Sequence, residues 1–368
     1  MKIIHTSDIH LGKKFIGLKL AGDGLRAGLK ASLSRIVDYT LEQKADLLLI
    51  AGNLFDTLEV SKNLQDFVAN ELARLKEIPA IILPGQHDYN AGGSFWKSWE
   101  GYHSQGNIFV FNGEKTYYKF DKLDCTVYGF PYSTEGKRKK YFMEPNKKQE
   151  TKFHIAMVCI GPDDFNNQVR EDNPDKPPIE GFDYVAMGGQ PVFMDLSFPG
   201  FRAAYSGAPE QLDFNQKEAG CIARIEIDES NEVRIEKVPF GKFIWRTEEL
   251  KAKDVLNNDD LISKIREMAG PDSLLRLKFS GLALFEAEVE PEHVQKLMEK
   301  EFLYLDIVDE MTVLPENVFE VKVSEKTLLG QYIKVMAEQL SRADNNIKPH
   351  LEKSLKIGYA LLQGRELW

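Results

Sequence analysis

The chain has 368 residues, 43% of them hydrophobic and 28% charged; that length suits about two domains, and the composition is that of a globular protein rather than a disordered or collagen-like one. A net charge of −10 excludes a uniformly basic nucleic-acid binder but not a local basic stripe, while three scattered cysteines, Cys125, Cys159 and Cys221, exclude a disulfide framework or zinc knuckle and fit a reducing compartment. The amino terminus turns polar by its fifth residue and no apolar run reaches about 18 residues, so neither a secretory signal nor a membrane span is expected and the chain reads as soluble and cytoplasmic.

Over the first 240 residues, apolar strands alternate with helices. "KIIHT" predicts a short strand, residues 26–44 a helix with Leu29, Leu33, Ile36 and Val37 on one face, "ADLLLIAGN" a buried strand, residues 61–77 a second helix, and "PAIILPGQHD" a third strand that breaks at Pro and Gly. Four further strands, "DCTVYGFPY", "FHIAMVCIG", "FDYVAMGG" and "RAAYSG", follow with fewer helices between them, and "GCIARIEIDESNEVRIEKV" predicts a hairpin turning at "DESNE". This order predicts an α/β layered sheet with ligand-bearing loops at the carboxyl ends of the strands. Composition shifts near residue 245: residues 281–320 carry a net −9, against +4 for residues 131–152. Residues 250–320 predict helix, strand, helix, strand, which suits a small α+β cap domain. Residues 324–342 predict an amphipathic helix with Leu328, Tyr332, Met336 and Leu340 on one stripe, and a break at "ADNNIKP" precedes a last helix with Leu351, Leu355 and Leu362. The expected domains are 1–240, 241–322 and 323–368.

Polar or glycine-rich residues directly follow an apolar strand at four places: "HTSDIHLG" (Asp8, His10), "IAGNLFD" (Gly52, Asn53, Asp56), "LPGQHDY" (Gln86, His87, Asp88) and "MGGQP" (Gly189, Gln190, Pro191). A D-x-H, then G-x-L-F-D, then P-G-x-H-D in this order resembles the calcineurin-like metallophosphoesterases. Within that group, "HTSDIHLGKKF" and "YSGAPEQLDFNQKEAG" are most similar to the SbcD-type DNA repair nucleases, partners of SbcC-type ATPases. The resemblance covers residues 1–240 strongly and the rest more loosely, and it implies a metallophosphoesterase β-sandwich flanked by helices, with an α+β cap and C-terminal helices.

That family holds two divalent metals, usually manganese, about 4 Å apart on five motifs. Carried over, Asp8 and His10 match the first motif and His87 matches the transition-state histidine. Asn53 stands where the bridging Asp would be and Gln86 where the family has Asn. Ile160 stands at the strand-end His, and Gly189 and Pro191 at the two histidines of G-H-x-H. Five of seven expected ligands are replaced. Two dications need an anionic oxygen between them, because their mutual repulsion is otherwise uncompensated. Asn53 and Gln86 are neutral, and the side chains of Ile160, Gly189 and Pro191 have no donor atom. The expectation is at most one weakly bound divalent ion on Asp8, His10 and Asn53, or none, and failure of two-metal activation of water.

Blander readings stand beside these. Asp56 and Asp88 read as turn caps. The run Lys137, Arg138, Lys139, Lys140 is either a solvated loop or a contact to nucleic-acid phosphate. The stripe Leu328, Tyr332, Met336, Leu340 is either core packing or a docking face for a coiled coil. The leading functional reading is an SbcD-like subunit with lost or reduced phosphodiesterase activity that binds double-stranded DNA ends or partners an SbcC-like ATPase, with homodimerisation allowed. The alternative is a working manganese-dependent DNA nuclease with a divergent site. A phosphoesterase for small esters is disfavoured by the cap and the C-terminal helices.

Overall fold

The computed structural model describes residues 1–18, 21–89, 95–99, 106–111, 116–130, 150–163, 165, 181–282, 289–312, 318–344 and 346–364. The run Lys137–Lys140 lies outside the described residues. In chain order the elements are β1 (Lys2–Thr6), α1 (Ala21–Glu42), β2 (Leu47–Ala51), α2 (Lys62–Ala73), β3 (Ala80–Leu83), α3 (Trp96–Trp99), β4 (Ile108–Val110), β5 (Tyr117–Phe120), β6 (Cys125–Phe130), β7 (Phe153–Cys159), β8 (Tyr184–Gly188), β9 (Met194–Asp195), β10 (Ala203–Tyr205), β11 (Cys221–Ile227), β12 (Val233–Pro239), β13 (Ile244–Lys251), α4 (Asn258–Arg266), β14 (Gly270–Leu282), α5 (Pro291–Met298), β15 (Phe302–Thr312), α6 (Leu328–Arg342) and α7 (Lys348–Leu362). The chain divides into two units, Met1–Ile244 and Trp245–Trp368.

The first unit is a mixed α/β sandwich of two six-stranded sheets, ordered β12-β11-β1-β2-β3-β4 and β5-β6-β7-β8-β10-β9. Strands β1, β2, β3 and β4 are parallel, as are β6, β7, β8 and β10, so each sheet ends its central strands at a common rim. Both centres are buried on two faces, which explains why β2 and β8 read as unbroken apolar runs rather than alternating ones. Ile3, Leu49, Ala51, Ile81 and Leu83 from one sheet and Val127, Ile155, Met157 and Ala186 from the other fill the space between them. At Gly188 the sheets come so close that a Cβ would overlap the Ala51 carbonyl, so only glycine fits at that end of β8. Helix α1 buries Leu25, Leu29, Leu33, Ile36 and Val37. The turn after β10 is anchored by Glu210, a fully buried carboxylate that pairs with Arg35 of α1 at 2.6 Å and accepts the Lys242 N–H at 2.9 Å.

The second unit holds a three-stranded sheet, β13-β14-β15, with β14 and β15 parallel. Its core joins Leu261 and Ile265 of α4, Leu275, Leu277 and Phe279 of β14, Val294 and Met298 of α5, and Leu305 of β15. The hydrogen-bonded cap of Asn257 opens α4 by accepting the Asp260 N–H at 2.9 Å. No helix among the described residues is long and apolar enough to cross a membrane.

Helices α6 and α7 form a hairpin within this unit. Here the docking stripe needs correction: Met336 and Leu340 are buried against Leu355, Tyr359 and Ala360 of α7 and Val318, with Tyr332 packed alongside. The Tyr332 hydroxyl also donates to the Ser354 carbonyl at 2.7 Å. Two short amphipathic helices remove most apolar surface from water by facing each other, so the stripe serves the hairpin itself. Of the four stripe residues only Leu328 stands out into solvent, at 74% exposure. Accordingly, Met336→Glu is expected to lower the unfolding free energy of the second unit by about 2–5 kcal/mol, measured by urea denaturation. Leu328→Glu should change it by no more than about 0.5 kcal/mol.

Candidate active-site rim

The residues singled out by sequence lie on the loops that leave β1, β2, β3, β7 and β8. The first two loops are zipped together by backbone hydrogen bonds, with Asp8 N–H donating to the Gly52 carbonyl and His10 N–H to the Asn53 carbonyl, both at 3.0 Å. Asp56 N–H donates back to the Leu11 carbonyl at 3.0 Å. Three non-glycine residues here take left-handed backbone conformations, Asp8 (φ 54°), His10 (φ 52°) and Asn53 (φ 54°). Such backbones cost of order 1 kcal/mol or more each and persist where surrounding contacts hold them. Three of the residues singled out for the site therefore carry such strain.

Asp8 is buried, and its carboxylate is saturated with donors. Oδ1 accepts the Asn53 Nδ2 at 2.7 Å; Oδ2 accepts the Ser7 hydroxyl at 2.7 Å and the Gly189 N–H at 3.0 Å. On its other side, Asn53 Oδ1 accepts the His87 N–H at 3.0 Å. This last contact settles which way the amide points, because a backbone N–H can only donate and so must face the oxygen. Gly85 lies so close to this amide that a Cβ on it would overlap the Asn53 oxygen. The result is one side chain from the β2 loop joining the β1 loop to the β3 loop, with its donor turned toward the carboxylate.

His10 sits between two carboxylates. Its Nδ1 is 3.0 Å from Asp56 Oδ1 and its Nε2 is 3.8 Å from Asp8 Oδ1. Burial alone would press the imidazole's pKa down, but the hydrogen bonds and charges of Asp56 and Asp8 hold it up at about 9. Burial likewise works against the Asp8 and Asp56 carboxylates, yet both are held below the usual range, chiefly by His10. Lys13 adds a second cation 3.6 Å from Asp56 Oδ1. His87 is exposed, and its ring meets that of His10 edge to face with centroids 4.7 Å apart. Partial desolvation and the charge of His10 push its pKa down.

Asp88 is a scaffold residue beneath the rim. Fully buried, it accepts the Gly85 N–H at 2.7 Å and the Phe55 N–H at 3.0 Å, and its own carbonyl accepts the indole N–H of Trp96. Burial raises its pKa to about 6 despite those donors.

The other carried-over positions have different surroundings. Ile160 is core, packed with Val158, Met187 and Tyr205, and its carbonyl accepts the Tyr205 hydroxyl at 3.0 Å. Gly189 contributes a main-chain donor to Asp8. Pro191 is half-buried and accepts the Ala208 N–H at 2.8 Å. Gln86 is exposed beside His87. The residue that sequence reasoning undervalued is Asp56. It joins His10 and His87 in a group whose ligand atoms lie within 4.8 Å of one another. Its signal was present as the closing Asp of G-N-L-F-D, but only the zipped loops bring it under His10.

The calcineurin-like phosphoesterase family profile matches residues 1–193. The chain belongs to that family, the class that the sandwich and its rim define. Members typically depend on divalent metal, and His10, Asp56 and His87 form a group able to hold one. The chain is similar to the uncharacterized metallophosphoesterase YhaO of Bacillus subtilis (strain 168), with 26% identity over 168 residues, 43% of this chain and 40% of the relative's length. Among solved structures it is aligned with TT1561 of Thermus thermophilus at a TM-score of 0.37 and 12% identity, over 64% of this chain and 98% of the other.

The charge arrangement at His10 has a consequence for stability. Its folded pKa of about 9 lies above the ordinary 6.5, so the folded state holds a proton that the unfolded chain releases between those values. The stabilisation is complete below about pH 6.5 and is lost as pH rises through about 9. Metal-free protein should lose up to about 3 kcal/mol of unfolding free energy across that window, and His10→Gln should flatten the profile. Urea titrations at a series of pH values in EDTA read both.

Proposed function

We propose that this chain is a phosphoesterase-family protein that recognises phosphodiester substrates without the two-metal hydrolysis its fold is associated with, acting as an SbcD-like DNA-end-binding subunit beside an SbcC-like ATPase. The observation that carries this reading is the chemistry and bonding of Asn53. A two-metal centre needs a negatively charged oxygen shared between the ions, whereas Asn53 is neutral, donates its amide N–H to Asp8 and accepts the His87 backbone N–H on its oxygen. Asp8 already accepts hydrogen bonds from three donors. Around them, Ile160, Gly189 and Pro191 offer no side-chain ligand. The residues present therefore do not fit the family's two-metal centre. What remains able to meet a phosphodiester is hydrogen-bonding: the exposed His87 and Gln86.

The second reading, a nuclease working with one ion, draws its support from the His10, Asp56 and His87 group. The two are separated by activity. Purified protein with labelled duplex DNA and manganese is expected to show no cleavage above background, and Asn53→Asp alone should not restore it because three ligand positions remain mute. Robust cleavage that disappears in His87→Ala supports the one-ion nuclease instead.

Partnership with an ATPase rests on the C-terminal hairpin. Its buried stripe stabilises the hairpin, so the docking face in this proposal is the exposed set Leu328, Val335 and Leu361, at 74%, 52% and 44% exposure. The segment 321–368 carries a net +3, suited to an acidic helical partner. Deleting residues 324–368 is expected to abolish co-purification with the ATPase, and Leu328→Glu to weaken it at unchanged melting temperature; retention after the deletion contradicts the assignment.

A further inference from the structure

We infer that the first two turns of α1 couple two segments distant in sequence: the rim loop Lys13–Leu18 and the segment Phe240–Phe243, which lies just before the first unit ends at Ile244. The inference goes beyond the proposed function and holds whether or not the rim cleaves a phosphodiester. It begins with how weak this stretch of helix is on its own and with what packs against it from two sides.

Residues 21–28, AGDGLRAG, contain three glycines, and each glycine inside a helix weakens it relative to alanine through the backbone freedom it gives up. Two of the three serve close packing. On one side Phe15 lies against Gly22, 3.6 Å from where a Cβ would stand, and Arg26 donates to the Lys14 carbonyl at 2.8 Å. Phe15 is buried yet takes a left-handed backbone conformation (φ 50°), which persists where surrounding contacts hold it. The same loop carries Lys13, whose ammonium lies 3.6 Å from Asp56.

On another flank of α1, Gly28, Arg35 and Tyr39 recur at helical spacing and meet Phe240–Phe243. The Phe243 ring fills the space that a side chain at Gly28 would take. Arg35 donates to the Phe240 carbonyl at 3.1 Å and sets its guanidinium 4.9 Å from the centre of the Phe240 ring, which the Tyr39 ring meets edge to face at 6.2 Å. Glu210, paired with Arg35, accepts the Lys242 N–H at 2.9 Å and the Phe243 N–H at 3.3 Å. The helical turns over 21–28 therefore depend on both Phe15 and Phe243 being seated. Loosening either ring removes packing from the same weak turns, the helix start opens, and the other ring loses its platform. Such coupling is reciprocal. A pull on the chain beyond Ile244 reaches Phe243 first and, through α1, the loop that holds Lys13 beside Asp56.

Hydrogen–deuterium exchange of the full chain, read by mass spectrometry, tests the link from both ends. Phe243→Ala should speed exchange at least about 5-fold in residues 25–28 and 13–18 as well as in 240–243, with β7 unchanged. Phe15→Ala should do the same to residues 240–243. Gly24 is exposed within the helix, so Gly24→Ala strengthens these turns without touching either ring. It should slow exchange about 3-fold in both segments of the otherwise unmodified chain and blunt the effect of Phe243→Ala on residues 13–18. Acceleration by Phe243→Ala confined to residues 240–243 overturns the proposal. So does a Gly24→Ala chain in which neither segment slows. Strand β7 reports global unfolding: if Phe243→Ala speeds it equally, the Gly24→Ala comparison, which removes no contact, decides.

Discussion

The amide of Asn53 faces Asp8 with its nitrogen and the His87 backbone with its oxygen, and the rim of the sandwich is organised around that one group. An aspartate in its place would set two carboxylates at hydrogen-bond distance in a buried setting, an arrangement that needs a cation or a shared proton to exist. With the amide, the contact is attractive by itself, and the charge of Asp8 is answered by donors and by the imidazole of His10. The loops that carry Asp8, Asn53 and His87 thus hold together through protein hydrogen bonds. A buried carboxylate with three donors is also a strong anchor, because each hydrogen bond to an ionised group is worth more than a neutral one.

The rest of the first unit delivers the parts to that amide. Parallel strands bring β1, β2 and β3 to the same edge, and the absence of a side chain at Gly188 lets the second sheet approach until the Gly189 N–H reaches Asp8. Asp88 ties the β3 loop to the β2 loop through the Gly85 and Phe55 N–H groups. The three left-handed residues are held by the zipped backbone between the first two loops. Strain, burial and charge meet at one rim, the pattern of a functional site.

Much of this was legible in the sequence because the relevant signals are local. An apolar run such as Leu47–Ala51 reads as a buried strand, and polar residues at its end read as a rim loop, so the sequence alone groups Asp8, His10, Asn53 and His87. The helix and strand order of residues 250–312 was readable for the same reason. What stayed hidden depends on partners distant in sequence. Asp56 reads as a turn cap until the β1 and β2 loops are zipped and its carboxylate meets His10. The direction of the Asn53 amide is set by a backbone N–H 34 residues away. The stripe containing Met336 and Leu340 has the right period for a helix face, but periodicity does not say what covers it, and the covering surface is α7. Ile160 looks like a lost ligand in the motif and is, in the fold, a core residue.

The central claim is that Asn53 cannot bridge two metal ions, and crystals grown with manganese at near-neutral pH test it most directly. An anomalous-difference map should contain no pair of peaks about 4 Å apart at the rim, with Asn53 still turning its nitrogen to Asp8. Two such peaks flanking Asn53, with its oxygen rotated between them and Asp8 released from the Asn53 amide, would contradict the account.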